Sequence, residues 1–143
     1  MKRKVIDASK CQGCLNCEAA CVEAHFKESG LLDSSRGKVG LGPDSNPYPQ
    51  FCRHCDRPSC VEACPSGALR KLSDGLVEHD REKCLGCWMC VMSCPYGMAR
   101  PGADGKMSKC DGCAAHDSMA CVEACPSGCL KESKEPGSPV EYA

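Results

Sequence analysis

Sixteen of the seventeen cysteines of this chain fall into four groups of four. Cys11, Cys14, Cys17 and Cys21 are spaced C-x2-C-x2-C-x3-C. Cys52, Cys55, Cys60 and Cys64 read C-x2-C-x4-C-x3-C-P, and Cys84, Cys87, Cys90 and Cys94 read C-x2-C-x2-C-x3-C-P. Cys110, Cys113, Cys121 and Cys125 read C-x2-C-x7-C-x3-C-P. A tight triplet of thiols with a fourth just beyond it, usually followed by proline, is the ligand spacing of cubane 4Fe–4S clusters. Four such runs imply four clusters, whose chemistry is the movement of electrons.

Two other uses of cysteine compete. A disulfide scaffold would explain the high cysteine content. Triplets spaced this closely pair awkwardly, however, and an odd cysteine total fits a disulfide framework poorly. Structural zinc sites combine two separated pairs rather than repeated triplets. Iron–sulfur ligation is the reading that explains all four runs.

The length of 143 residues suits one domain, 1–143. Hydrophobic residues make up 42% of the chain, but 17 of them are cysteines, and aromatics are only 4%. Little is left for an ordinary core, so metal ligation must supply much of the folding free energy. The apo chain is expected to be largely unfolded. With 18 basic and 19 acidic residues the net charge is −1, which lacks the basic excess of nucleic-acid binders. No apolar stretch approaches bilayer length, so direct membrane insertion is not expected. The basic start, Met1-Lys2-Arg3-Lys4, is followed by only two apolar residues and contains no twin arginine, so no signal peptide is expected. Reduced thiols in this number suit the cytoplasm.

The sequence repeats itself. CVEACPSGAL at 60–69 and CVEACPSGCL at 121–130 agree at nine of ten positions. KCQGCLNCEAAC at 10–21 likewise parallels KCLGCWMCVMSC at 83–94. Two similar halves follow, about 1–72 and 73–143. The repeat accounts for the seventeenth cysteine: Cys129 stands where Ala68 stands in the other half, and reads as a small buried thiol.

The elements that must position these thiols are short. Each x3 spacing suits a first helical turn, where i and i+4 share a face. Val5-Ile6 reads as a strand. Residues 68–71 and 76–79 flank Ser73-Asp74-Gly75 as a hairpin, and 98–100 with 106–107 form a second, degraded one around Gly102 to Gly105. Residues 22–51 are the longest gap between motifs, and Ser34 to Pro49 reads as surface loop. The tail 131–143, with Pro136, Gly137, Ser138 and Pro139, is expected to be extended or mobile.

In this order the four motifs resemble the four-cluster ferredoxin-like electron-transfer subunits. That family includes the iron–sulfur subunits of dimethyl sulfoxide reductase, formate dehydrogenases and several hydrogenases. It also includes the electron-transfer protein of carbon monoxide dehydrogenase and small subunits of tungsten aldehyde oxidoreductases. The resemblance covers about residues 4–130. It implies an α+β, ferredoxin-like fold with two nested two-cluster units related by a pseudo-twofold. Fourth cysteines are then exchanged, as in two-cluster ferredoxins. One cluster would take Cys11, Cys14, Cys17 and Cys125, and its neighbour Cys110, Cys113, Cys121 and Cys21. The central pair would take Cys52, Cys55, Cys60 with Cys94, and Cys84, Cys87, Cys90 with Cys64. Pro65, Pro95 and Pro126 follow three of the exchanged cysteines, whereas Val22 follows Cys21. The short x7 spacing is expected to leave the fourth motif's cluster nearer the surface. The resemblance further implies two partners, a catalytic oxidoreductase subunit and a second redox protein.

Other residues read more modestly. Trp88 is expected to shield a cluster. His25, His54, His79 and His116 are not expected as iron ligands, since every cluster already has four thiols. Arg53 and His54, beside Cys52 and Cys55, would raise that cluster's potential if charged. Lys10, Lys83 and Lys109 each precede a motif's first cysteine. No nucleophile–base set or phosphate-binding loop is visible, and Gly40-Leu41-Gly42 lacks the context of a dinucleotide site. The chain therefore reads as a carrier without its own catalytic site. The leading class is an electron-transfer subunit, with carbon monoxide dehydrogenase the first candidate partner. Aldehyde, formate and hydrogenase partners, a diffusible polyferredoxin and a structural or sensing iron–sulfur protein follow.

Overall fold

The computed structural model describes residues 3–142. It is a small α+β assembly of short strands and helices. In chain order the elements are β1 (Arg3–Ile6), α1 (Asn16–Ser29), β2 (Lys38–Leu41), β3 (Pro47–Gln50), α2 (Ser59–Ala63), β4 (Leu69–Lys71) and β5 (Val77–His79). Then come α3 (Met89–Ser93), β6 (Arg100–Pro101), β7 (Met107–Ser108), α4 (Ala120–Ala124), β8 (Leu130–Ser133) and β9 (Val140–Tyr142).

Proline sets where the helices stop. α2, α3 and α4 are each five residues long and end at Cys64, Cys94 and Cys125, all in extended backbone (ψ 113°, 116° and 110°). Each of those cysteines precedes a proline, and a residue before proline is driven out of the helical region by clash with the ring. The fourth thiol is thereby swung off the helix. Cys21 precedes Val22 and feels no such clash, so α1 runs on for eight more residues. It stops at Gly30, whose φ of 72° lets its N–H close on the Phe26 carbonyl at 2.7 Å. An i,i+4 ion pair, Glu23 with Lys27 at 2.9 Å, lies on its solvent side.

Much of the expected surface loop is therefore ordered structure. Residues 22–29 are helix, and within 34–49 the strands β2 and β3 pair antiparallel, Lys38 opposite Gln50 and Leu41 opposite Pro47. The prolines at 47 and 49 hide this hairpin from the sequence, because proline argues against a strand. A two-stranded ribbon has only edges, so it accepts them. The hairpin at 68–79 forms as β4 and β5, with Leu69 opposite His79. The second hairpin starts two residues later than expected, as β6 and β7.

The chain ends meet in one sheet, ordered β8-β1-β9. β1 runs antiparallel to β8 and parallel to β9. Of the tail expected to be extended or mobile, 131–143, residues 131–133 and 140–142 lie in these strands. Ile6 and Leu130, opposite one another, are buried, and Lys4 shares the inner face of β1 with Ile6. Elsewhere, α1 packs against α4 and α2 against α3. Two apolar cores result. Ile6, Phe51, Met119 and Leu130 surround Cys113, Cys121 and Cys129; Leu69, Val77, Ala99 and Met107 surround Cys90. No helix among the described residues is long and apolar enough to cross a membrane.

Candidate functional site

None of the seventeen cysteines is in a disulfide. Three small cavities are each lined by at least four thiols, drawn from two separate motifs. One is lined by Cys11, Cys14, Cys17 and Cys125, with Cys129 as a fifth. Another is lined by Cys21, Cys110, Cys113 and Cys121, under Lys4, His25 and Phe51. The third is lined by Cys64, Cys84, Cys87 and Cys90, with Trp88 and His79. In the remaining set, Cys60 lies within electrostatic reach of Cys52 and Cys94, and Cys55 shares the loop of Cys52.

The donor sets fit 4Fe–4S clusters. Four soft thiols converge on each cavity, apolar side chains wall it, and backbone N–H groups already face sulfur. Arg36 N–H donates to Cys21 Sγ, Met98 N–H to Cys94 Sγ and Gly112 N–H to Cys110 Sγ, each at 3.4 Å. Burial pushes the Cys17 and Cys60 thiols up to about 11. Burial also opposes ionisation of Cys21, but hydrogen bonds from His25 and the Arg36 amide outweigh it and bring that thiol down to about 7. Ligation requires thiolates, so metal binding would carry folding energy and expel protons.

The first Cys-x-x-Cys step of every motif needs one left-handed residue. Gly13, Gly86 and Gly112 supply it with φ near 70°. At Gly86 a Cβ would meet the Gly105 carbonyl oxygen at 2.4 Å, so glycine is required there. In the second motif the same place is held by His54, with φ 46°. A non-glycine residue in this region is strained and must be held. His54 Nδ1 accepts the Val77 N–H at 2.9 Å, and its carbonyl accepts Lys71 Nζ at 2.8 Å. Burial, aided by Lys109, Lys4 and Lys71, holds its imidazole down at about 2, so it is neutral. With Nδ1 accepting, Nε2 carries the hydrogen, buried and without a protein partner among the described residues. Such a donor beside Cys52 and Cys55 suits a cluster sulfur.

Two buried lysines were not foreseen. Lys4 is 2% exposed, 3.7 Å above the Phe51 ring. Burial opposes its charge, but the sulfurs of Cys110 and Cys121 outweigh that and hold it above the ordinary lysine range. Lys109 is also buried and donates to the carbonyls of Val77 and Cys110 at 2.8 and 2.6 Å. Lys10 and Lys83, which precede the equivalent cysteines, are exposed. The only sequence signal is Lys4's alternation with Ile6. Arg53 is not free beside its cysteines: its guanidinium sits over Tyr96 and Tyr142, 4.3 and 4.6 Å from the ring centres. Trp88 is half-buried against the Cys84 cavity, with left-handed backbone like Leu15 in the first motif.

Exposure corrects one expectation. The fourth motif does not lie nearer the surface, since Cys113 and Cys121 are buried beneath α1, β1 and Phe51. The exposed cysteines are Cys14 and Cys87, equivalent positions of the first and third motifs.

This arrangement defines a thiol-ligated iron–sulfur protein for electron transfer. Residues 43–135 match the 4Fe-4S dicluster domain, and the chain belongs to that family. It is 41% identical over 140 residues to the probable anaerobic dimethyl sulfoxide reductase chain YnfG of Escherichia coli, covering 85% of this chain and 67% of that one. A chain of the anaerobic dimethyl sulfoxide reductase of the same organism is 37% identical with the same coverage. A tetrathionate reductase subunit of Archaeoglobus fulgidus is 41% identical over 110 residues, 76% of this chain and 53% of that one. The chain thus spans about two thirds of the first two and half of the third. These relatives give no support to carbon monoxide dehydrogenase as the partner.

Proposed function

We propose that this chain is the electron-transfer subunit of a reductase complex, passing single electrons through four 4Fe–4S clusters to a catalytic subunit. The relatives favour an oxidised sulfur compound, a sulfoxide or tetrathionate, as that subunit's substrate. The observation that carries the reading is the convergence of four thiols, from two motifs each, on three separate cavities.

The same convergence supports the exchanged ligand sets. Cys125 crosses to the Cys11 triplet, Cys21 to the Cys110 triplet and Cys64 to the Cys84 triplet, which leaves Cys94 for the Cys52 triplet. The packing of α1 on α4 and α2 on α3 favours two nested units within one domain. When bound, the clusters supply one-electron redox centres. The protein's part is to hold them apart from water and in order. Cys17 lies within electrostatic reach of Cys121, and Cys52 of Cys110. α2 carries Cys60 at one site and delivers Cys64 to the next. The order that follows is Cys11 site, Cys110 site, Cys52 site, Cys84 site. Cys14 and Cys87 then mark the two ends, one for the catalytic subunit and one for the second redox protein. Cys129 is left as a thiol outside the ligand sets, because Ala68 replaces it in the other half. The reducing cytoplasm suits sixteen thiols.

The test starts from anaerobically reconstituted protein reduced with dithionite. Added catalytic subunit and dimethyl sulfoxide, or tetrathionate, should restore the oxidised cluster absorbance. Reoxidation by the sulfur compound without the subunit, or none with it, overturns the reading.

A further inference from the structure

Outside the sixteen thiols one more group of metal-binding side chains converges. His25 and Glu28 lie one turn apart on α1, and His116 lies in the loop between Cys113 and Cys121. Glu28 Oε2 is 3.3 Å from His25 Nδ1 and 3.1 Å from His116 Nε2. The three ligand atoms lie within 4.8 Å of one another. The two imidazoles are nearly perpendicular, at 84°, so both can direct a lone pair at one point without stacking.

The far side of the His25 ring is already committed. Nε2 lies 3.9 Å from Asp111 Oδ1, and the ring hydrogen-bonds Cys21 and Cys113. The Nδ1 edge of the ring is the one turned to Glu28. Two imidazoles and one carboxylate are a donor set for zinc, with the remaining positions open. Here they open on the groove between α1 and α4, floored by Ala20, Ala24 and Ala120 and edged by Glu23 and Glu123. His116 and Glu28 are part-exposed, at 32% and 41%, so the site can be reached from solvent.

We propose that His25, Glu28 and His116 form a mononuclear zinc site, distinct from the cluster ligands, which staples α1 to the fourth-motif loop. Holo-protein with its full iron content is incubated with zinc, desalted, and assayed for zinc and iron by mass spectrometry, then by zinc K-edge absorption. About one zinc per chain is expected, with nitrogen and oxygen neighbours only. His116→Ala and Glu28→Gln should each lose the zinc while keeping the iron. Both side chains are part-exposed, so folding should survive. Failure of the holo-protein to retain zinc overturns the proposal. Sulfur neighbours would place the zinc in a cluster site and overturn it too, as would variants that keep the metal.

Discussion

His54 shows how one residue can depart from a motif and still serve it. Three of the four Cys-x-x-Cys steps use glycine for the left-handed turn, and this one uses a histidine pinned by Val77 and Lys71. Alanine would keep the strain and lose the pin. Glycine would lose the pin but also the strain, which is about 1–2 kcal/mol for a residue with a Cβ. His54→Gly holo-protein is therefore expected to unfold at a higher temperature than His54→Ala. Equal midpoints would mean the loop does not demand a left-handed residue. The cysteines permit a sharper test. Cys125→Ala should remove iron from the site of Cys11, Cys14 and Cys17, over a hundred residues away, whereas Cys129→Ala should leave the iron content unchanged. Spectroscopy that separates the clusters reads both outcomes. If Cys125→Ala disturbs only the Cys110 site, the exchange of ligands is wrong. At this scale the thiols were legible because type and spacing alone declare them. Lys4 and Lys109 were not, because their burial depends on carbonyls and sulfurs distant in sequence, such as the Val77 carbonyl 32 residues from Lys109.

Among the elements, the difference between a five-residue helix and a fourteen-residue one comes down to the residue after the fourth cysteine. Val22→Pro should force Cys21 into extended backbone and end α1 there. Far-UV circular dichroism of the holo-protein should then show a loss of about two helical turns. The helical wall that carries His25 and Glu28 would go with it. Unchanged helicity would show that packing on α4, not the missing proline, decides the helix length. The hairpin at 68–79 could be read because its glycine turn and apolar ends are local signals. The ribbon of β2 and β3 was obscured by its own prolines. The sheet β8-β1-β9 was out of reach, since it joins strands over 120 residues apart. Arg3 anchors that sheet: its guanidinium donates to the Ser138 carbonyl at 2.8 Å and pairs with Glu141. Arg3→Ala should cost about 1.5–3 kcal/mol, the range for hydrogen bonds made by a charged group, and lower the holo-protein's unfolding temperature.

Taken as a whole, the molecule is asymmetric in exposure even though its sequence is repetitive. Equivalent thiols, Cys14 and Cys87, reach the surface, while the fourth motif is covered by the long α1 and the returning chain ends. Exposed apolar side chains lie in the neighbourhood of both sites. Leu85 and Met92, each 73% exposed, lie beside the Cys84 site, and Leu41, at 76%, lies across β2 and β3 from Pro47, whose ring a Cβ on Gly13 would approach to 3.1 Å. Exposed apolar groups beside a redox centre suit a docking face, because a partner that covers them also shortens the electron's path. If the four sites form a line, each face serves a different partner. The double variant Leu85→Glu, Met92→Glu should then slow electron exchange with one partner at least tenfold, a loss of about 1.4 kcal/mol of productive docking. Exchange with the other partner should be unchanged. Leu41→Glu should give the opposite pattern. Neither should alter iron content, since none of the three residues is a ligand. Stopped-flow reduction and reoxidation, each with one partner, separates the two faces. If either variant slows both partners alike, a single face does all the docking and the chain does not conduct from end to end.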